Sequence, residues 1–173
     1  MELLERFARG DMDAFEELFR QFQSDVYGWI VRIVRNRSTA EDLTVDAFLR
    51  AYRAHARFAP DRGFGGWMRR IATNLALDHL KRSRRETPLD ESFPAVVTNE
   101  NPGVQQEKRE QIERAFQSLS PKLRVTARLA LVEDVPYHEI AEALGISDAT
   151  ARVRVFRATQ ALRKSLKELG AEL

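Results

Sequence analysis

Trp67, Arg70, Asn74, Lys81 and Arg85 recur along one side of the segment FGGWMRRIATNLALDHLKRSRR, residues 64–85. Guanidinium, carboxamide and indole groups on one helical face suit phosphates and unstacked bases. At 100° per residue, Met68, Ile71, Ala72, Leu75, Ala76 and Leu80 fall on the opposite, apolar side. Arg69, Arg70, Lys81, Arg82, Arg84 and Arg85 stand against the single acid Asp78, giving the stretch a net charge of +5. On this stretch alone, a solvated basic face with Trp67 in the core fits equally well.

A second segment, EIAEALGISDATARVRVFRATQALRK (residues 139–164), has helix-turn-helix spacing. Ala141 precedes Gly145 by four residues and permits close helix approach, and Gly145 makes the turn. Ile140, Leu144 and Ile146 point inward, and Ser147 caps the following helix. On that helix Ala151, Val155, Ala158, Leu162, Leu166 and Leu169 form the stripe expected to be buried. Thr150, Val153, Arg154 and Arg157 point away from it, with Arg152 and Phe156 on the shoulders. Such a helix fits the major groove, where an arginine that reads guanine bidentately contributes about 1–3 kcal/mol of discrimination. The plain alternative is an αα-hairpin with solvated arginines.

Helical periodicity dominates the rest, with no strand alternation. A short helix is expected over residues 2–9, and a long one from Asp11 to about Arg35. A third runs from Thr39 to about Arg57, behind a Ser38/Glu41 capping box. One proline and three glycines make residues 58–66 an irregular loop. Residues 86–106 hold three prolines, four acids and no base, which describes a flexible acidic linker able to span about 70 Å. Four further helices follow: from Glu107, from Ser120-Pro121, from Pro136 to Leu144, and from Ser147 to about Leu169. The expected architecture is all-α, two small helical domains (1–85 and 107–173) joined by that linker.

With 173 residues the chain is long enough for two small domains. It has no apolar run of membrane-spanning length and no apolar signal core, so a cytoplasmic protein without membrane insertion is expected. Zero cysteines exclude disulfides and thiolate sites. The net charge of +2 hides two basic stretches, residues 65–85 at +5 and residues 147–169 at +4, on either side of a connector at −4. That alternation implies two contacts on one polyanion. Of 28 basic residues 23 are arginine, the side chain suited to bidentate phosphate and guanine contacts. His55, His79 and His138 lack partners at metal-ligand spacing, and Glu133-Asp134 reads as a solvated pair before Pro136. No phosphate loop or nucleophile motif is present. The chain is therefore expected to have no catalytic residue, metal or cofactor, and not to be an enzyme.

With these motifs in place, the chain resembles the extracytoplasmic-function sigma factors, the small two-domain initiation factors of bacterial RNA polymerase. AEDLTVDAFLRAYR (residues 40–53) is similar to their polymerase-docking helix, and residues 64–85 to their promoter-melting, minus-ten-reading helix. Residues 119–164 are similar to their minus-thirty-five-reading domain. The resemblance implies that Asp42, Leu43, Asp46, Phe48 and Leu49 pack on the β′ clamp helices of core polymerase, with the β flap as a further contact. It implies a minus-ten set of Phe58, Asp61, Arg62, Phe64, Trp67, Arg70, Asn74, Lys81, Arg82 and Arg85, the loop over residues 58–66 cupping a flipped base. Ser147, Thr150, Arg152, Val153, Arg154, Phe156 and Arg157 would meet the minus-thirty-five duplex. Promoter DNA and an anti-sigma factor are the other implied partners, with the chain a monomer in the holoenzyme.

Four positions depart from the family pattern. Val45 replaces a frequent glutamine, Arg69 a usual aromatic, Ala149 a glycine and Val153 a serine. Val153 offers an apolar surface for a thymine methyl. A free-standing dimeric helix-turn-helix repressor is the rival reading, but it leaves residues 40–85 without a role. A small DNA-processing enzyme lacks any catalytic constellation.

Overall fold

Gly10, at φ 86°, ends helix α1 (Glu2–Ala8) and turns the chain into α2 (Met12–Val34). Asp11 caps α2 by accepting from the Asp13 and Ala14 amides at 2.9 and 3.2 Å. A hydrogen bond from Arg6 Nε at 2.7 Å, with those amides, holds the Asp11 carboxyl below its ordinary pKa. Helix α3 (Arg37–Arg53) starts two residues before the expected Thr39. Its cap is not Ser38 but Asn36, whose carboxamide oxygen accepts from the Thr39 amide at 2.9 Å. Two 3₁₀ turns, His55–Arg57 and Pro60–Arg62, give the glycine-rich loop its shape, and α4 (Phe64–Glu86) follows.

The computed structural model describes residues 2–86 and 102–170. Helix α5 (Pro102–Ser118) begins five residues before the expected Glu107, with proline at a position where its missing N–H costs nothing. Glu86 belongs to α4, so the part of the acidic connector between the helices, residues 87–101, lies outside the described residues. Helices α6 (Pro121–Leu131), α7 (Tyr137–Leu144) and α8 (Asp148–Glu168) complete the chain, and the described residues contain no strand. Gly145, at φ 63° and ψ 40°, stops α7 in the left-handed conformation. Ser147 Oγ accepts from the Thr150 amide at 3.2 Å to start α8. Both features follow the sequence reading. Ser120 holds the N-cap position of α6 without a side-chain capping bond.

The two helical regions meet face to face. Helices α2, α3 and α4 pack on one another, while α7 lies along α4 and α6 touches α2 and α4. One apolar cluster runs through Leu18, Ile30, Phe48, Met68 and Leu75 and on into Val125, Leu129, Ile140 and Ala141. A smaller cluster, with Ala115, Phe116, Leu119, Ala127, Ala158 and Leu162, joins α5, α6 and α8. Helix α4 is therefore buried more widely than its apolar stripe implies. Thr73 and Leu77 are covered as well as Met68, Ala72, Leu75, Ala76 and Leu80. At 100° per residue the buried arc spans roughly 200°. The polar member is satisfied: Thr73 Oγ1 donates to the Arg69 carbonyl at 2.7 Å and accepts from Trp29 Nε1 at 2.8 Å.

Arg128 on α6 is 3% exposed, and its Nη2 donates to both carboxylate oxygens of Glu113 on α5 at 3.0 and 3.1 Å. Its guanidinium also lies 5.3 Å from the Phe116 ring centroid. Removing one partner of a buried pair leaves the other charge poorly compensated. Glu113→Ala is expected to destabilise the fold by about 3 kcal/mol, read as a lowered urea midpoint by circular dichroism. An unchanged midpoint would contradict a buried, structural role for this pair.

Candidate nucleic-acid interface

The loop before α4 is held from beneath by an aromatic cluster centred on Phe7 of α1, which is fully buried. Its ring centroid lies 5.5 Å from Phe58, 5.4 Å from Phe64 and 6.1 Å from Trp67, and Phe58 and Trp67 are 4.9 Å apart. Phe58 and Phe64 were expected to face a strand but are only 5% and 2% exposed. Aromatic rings bury so much area that packing on Phe7 outweighs display to solvent. Their place is under the loop, where they fix its shape. Trp67 is half-buried at the edge of this cluster, so its indole both anchors the loop and borders its surface.

Above the cluster Asp61 and Arg62 are exposed, as are Arg70, Asn74, Lys81 and Arg82 along α4. Lys81 has only a long contact of 3.7 Å to Asp78, a surface pair of small energetic weight. The Arg85 side chain lies outside the described residues. On the covered flank His79 is near Ser83 Oγ at 3.2 Å. Burial first, and the Arg82 charge second, lower the pKa of its imidazole.

On α8, Ser147, Thr150, Arg152, Val153, Phe156 and Arg157 are exposed, with Phe156 at 64% and Val153 at 48%, and Arg154 is half-buried. Two of these side chains already have local roles. The Ser147 hydroxyl caps the helix and lies 2.9 Å from Thr150 Oγ1. Arg152 lays its guanidinium over Tyr137 of α7, 4.6 Å from the ring centroid, and so ties the two helices together.

Helix α3 divides the third expected set. Asp42, Asp46 and Leu49 are exposed, whereas Leu43 and Phe48, also expected on the docking face, are 6% and 1% exposed. They point into the core, where Phe48 packs 4.8 Å from Phe19. Val45 joins the outward stripe at 54% exposure. Positions 42, 45, 46 and 49 fall at i, i+3, i+4 and i+7, one continuous helical face. Val45, where the family often has a glutamine, thus puts an aliphatic side chain between Asp42 and Asp46 on this face in place of a polar one.

The seam between the regions holds residues without an assigned role. Arg69 Nη1 meets Glu139 Oε2 at 2.6 Å and lies 5.2 Å from the Trp29 ring centroid. Arg32 and Glu133 approach to 3.7 Å. Among the described residues no helix is long and apolar enough to cross a membrane, and no cluster of three or more histidines or carboxylates could hold a metal ion.

Residues 18–86 match the model for sigma-70 region 2, and residues 109–162 match that for sigma-70 region 4. An RNA polymerase sigma-H factor of Pseudomonas aeruginosa is 32% identical, over 99% of this chain and 95% of its own length. The ECF RNA polymerase sigma-E factor of Escherichia coli is 31% identical, over 96% of this chain and 94% of its own. The chain belongs to the extracytoplasmic-function sigma factors. As a sigma factor it directs promoter-specific transcription initiation, and its family is not a class of enzymes. The repressor reading finds no support in these matches. A solved structure of the sigma factor RpoE in complex with the anti-sigma factor NepR, from Bartonella quintana, shares the fold. Its TM-score is 0.56 at 20% identity, covering 88% of this chain and 96% of that one.

The Phe7 cluster gives the sigma factor's loop a checkable dependence on α1. Phe7→Ala is expected to cost about 3–5 kcal/mol. In a Trp29→Phe background, emission from Trp67 should also shift to the red as its ring loses cover. If both stability and emission are unaltered, Phe7 does not support the loop.

Proposed function

We propose that this sigma factor reads a promoter at two places, through two regions of different chemistry, while a third face holds it on core polymerase. The observation that carries the reading is the set of side chains displayed on α8. From a serine-capped start the helix presents Thr150, Val153, Phe156 and Arg157 to solvent on one face. That face fits the major groove of the minus-thirty-five duplex. Arg157 supplies a bidentate donor for guanine, and Val153 and Phe156 supply apolar surface for thymine methyls. Ser147, Arg152 and Arg154 act closer to the backbone, since the first is engaged in capping and the second in stacking on Tyr137.

The melted minus-ten strand falls to the loop and α4. Asp61 and Arg62 edge the place for an extruded base, Trp67 borders it, and Arg70, Asn74, Lys81, Arg82 and Arg85 follow the strand's phosphates. Phe58 and Phe64 serve this site only by fixing the loop. Docking on the β′ clamp helices uses Asp42, Val45, Asp46 and Leu49, two carboxylates and two aliphatic side chains on one face. The β flap meets the C-terminal region. The protein works as a monomer within the holoenzyme, in the cytoplasm where transcription takes place. It contributes binding energy and base choice, and the polymerase supplies the chemistry. An anti-sigma factor as a further partner is supported by the shared fold with an anti-sigma-bound sigma factor.

Transcription in vitro with core polymerase, on fragments bearing candidate promoters, tests the whole reading. The protein should direct initiation at a defined class of start sites, and failure on every fragment would refute it. Within that assay, Arg157→Ala should weaken recognition of the minus-thirty-five duplex by about 1–3 kcal/mol. Trp67→Ala should instead slow opening on closed duplex more than on a pre-melted template. Equal defects on both templates would remove the melting role.

For the docking face, Leu49→Asp should lower affinity for core polymerase by at least about tenfold, measured by competition against the wild-type protein. Its helical content should be unchanged, because the side chain is 45% exposed. Unaltered competition would place the polymerase contact elsewhere.

A further inference from the structure

Arg152 and Arg157 are both exposed on α8, but only Arg152 is held by a neighbouring helix. Its guanidinium lies over the Tyr137 ring, 4.6 Å from the centroid, and this stack is its one side-chain contact among the described residues. Asp148, four residues earlier on the same helix, forms no ion pair with it. Tyr137 is fixed in turn. It opens α7 directly after Pro136, is half-buried, and packs on the larger apolar cluster. A ring anchored in the core thus carries an exposed cation. Stacking engages the flat face of a guanidinium and leaves the N–H donors around its edge free. A carboxylate partner would have occupied those donors.

The direction of Arg152 indicates what the free edge meets. At 100° per residue it lies about 90° from the middle of the stripe formed by Ala151, Val155, Ala158 and Leu162. Val153 lies about 170° from that stripe and Arg157 about 130°. A helix about 10–12 Å across fills a major groove about 12 Å wide. Its outermost side chains then face base edges. A side chain at right angles to the direction of entry faces the wall of the groove, which is lined by phosphates. We infer that Tyr137 is a positioning residue for duplex binding, its ring holding the Arg152 guanidinium with the N–H edge toward a phosphate of the groove wall. Arg152 makes the contact, and Tyr137 acts through it by removing side-chain freedom that binding would otherwise have to quench. The pair strengthens attachment without reading sequence.

This inference rests on the reading of α8 proposed above, and a double-mutant cycle tests it in the holoenzyme. Binding to a promoter duplex found by the transcription assay is measured by fluorescence anisotropy, in the cold so that the duplex stays closed. Arg152→Gln should weaken binding and reduce the slope of log affinity against log salt by about 0.9, the loss of one phosphate contact. Tyr137→Leu should weaken binding about two- to tenfold and leave the slope as it is, because the cation remains. Tyr137→Phe should restore the affinity, since the ring is what positions the guanidinium. In an Arg152→Gln background, Tyr137→Leu should have no further effect. A tyrosine that only stabilises the fold would cost the same in both backgrounds, and that result would overturn the inference. So would a Tyr137→Phe variant as weak as Tyr137→Leu, which would assign the contact to the hydroxyl.

A second duplex with its minus-thirty-five bases replaced separates this inference from the reading it rests on. Arg152→Gln and Tyr137→Leu should weaken both duplexes by the same factor, whereas Arg157→Ala should weaken only the first. If Arg157→Ala affects neither duplex, the reading of α8 fails and the inference with it. If Arg157→Ala behaves as expected while Arg152→Gln changes neither affinity nor slope, the phosphate contact alone is refuted.

Discussion

Helix α4 must satisfy two sets of neighbours at once, and the rest of the architecture follows from that demand. One side closes the core with α2 and α3, and the other meets α6 and α7. Gly66, Arg69, Arg70, Thr73 and Leu77 share this second side by helical spacing, and their characters differ for physical reasons. Glycine leaves room for a carboxylate, arginine supplies countercharge, threonine accepts the Trp29 indole proton, and leucine fills space. Only a strip of about 160° remains for solvent. Asn74, Asp78 and Lys81 lie within it and Arg70 at its boundary, so the exposed polar side chains of this stretch of α4 are concentrated there.

Arginine chemistry lets the same residue type serve several purposes without change. Arg128 is a buried structural cation chelating one carboxylate, Arg152 a planar clamp over tyrosine, and Arg157 an open fork on the outer face of α8. Lysine, a compact and strongly hydrated charge, would suit the first two settings poorly. This explains why the bias toward arginine extends beyond residues facing nucleic acid. Composition alone could not separate the three uses, because each depends on what the guanidinium meets.

Much of the helical framework is legible in the sequence because its signals are local. Gly145 and Ser147 fix the turn before α8 within three residues, and both behave as read. Where two local signals compete, the reading slips: Asn36 and Ser38 both offer caps to α3, and only the fold selects Asn36. Side-chain direction was less legible than helix identity. The likeness that picks out α3 as a docking helix does not say which of its residues turn inward, and packing sends Leu43 and Phe48 to the core while leaving Val45 outside. Phe58 and Phe64 were misplaced for a related reason, since their partner Phe7 lies some fifty residues away along the chain. The seam is the extreme case. Glu139 reads as an ordinary surface acid until a cation seventy positions earlier is brought against it.

The dependence of the glycine-rich loop on Phe7 sets an order of events on the ribosome. Helix α1 emerges before the loop, and the Phe7 ring has no aromatic partners from the loop until residues 58–67 have also been made. At about 5–20 residues per second, that interval lasts several seconds. Throughout it Phe15 of α2 is the aromatic neighbour available to Phe7, and the side of the ring that meets Phe58, Phe64 and Trp67 has no partner. The aromatic support of the loop is therefore complete only once both ends of a stretch some fifty residues long have been synthesised.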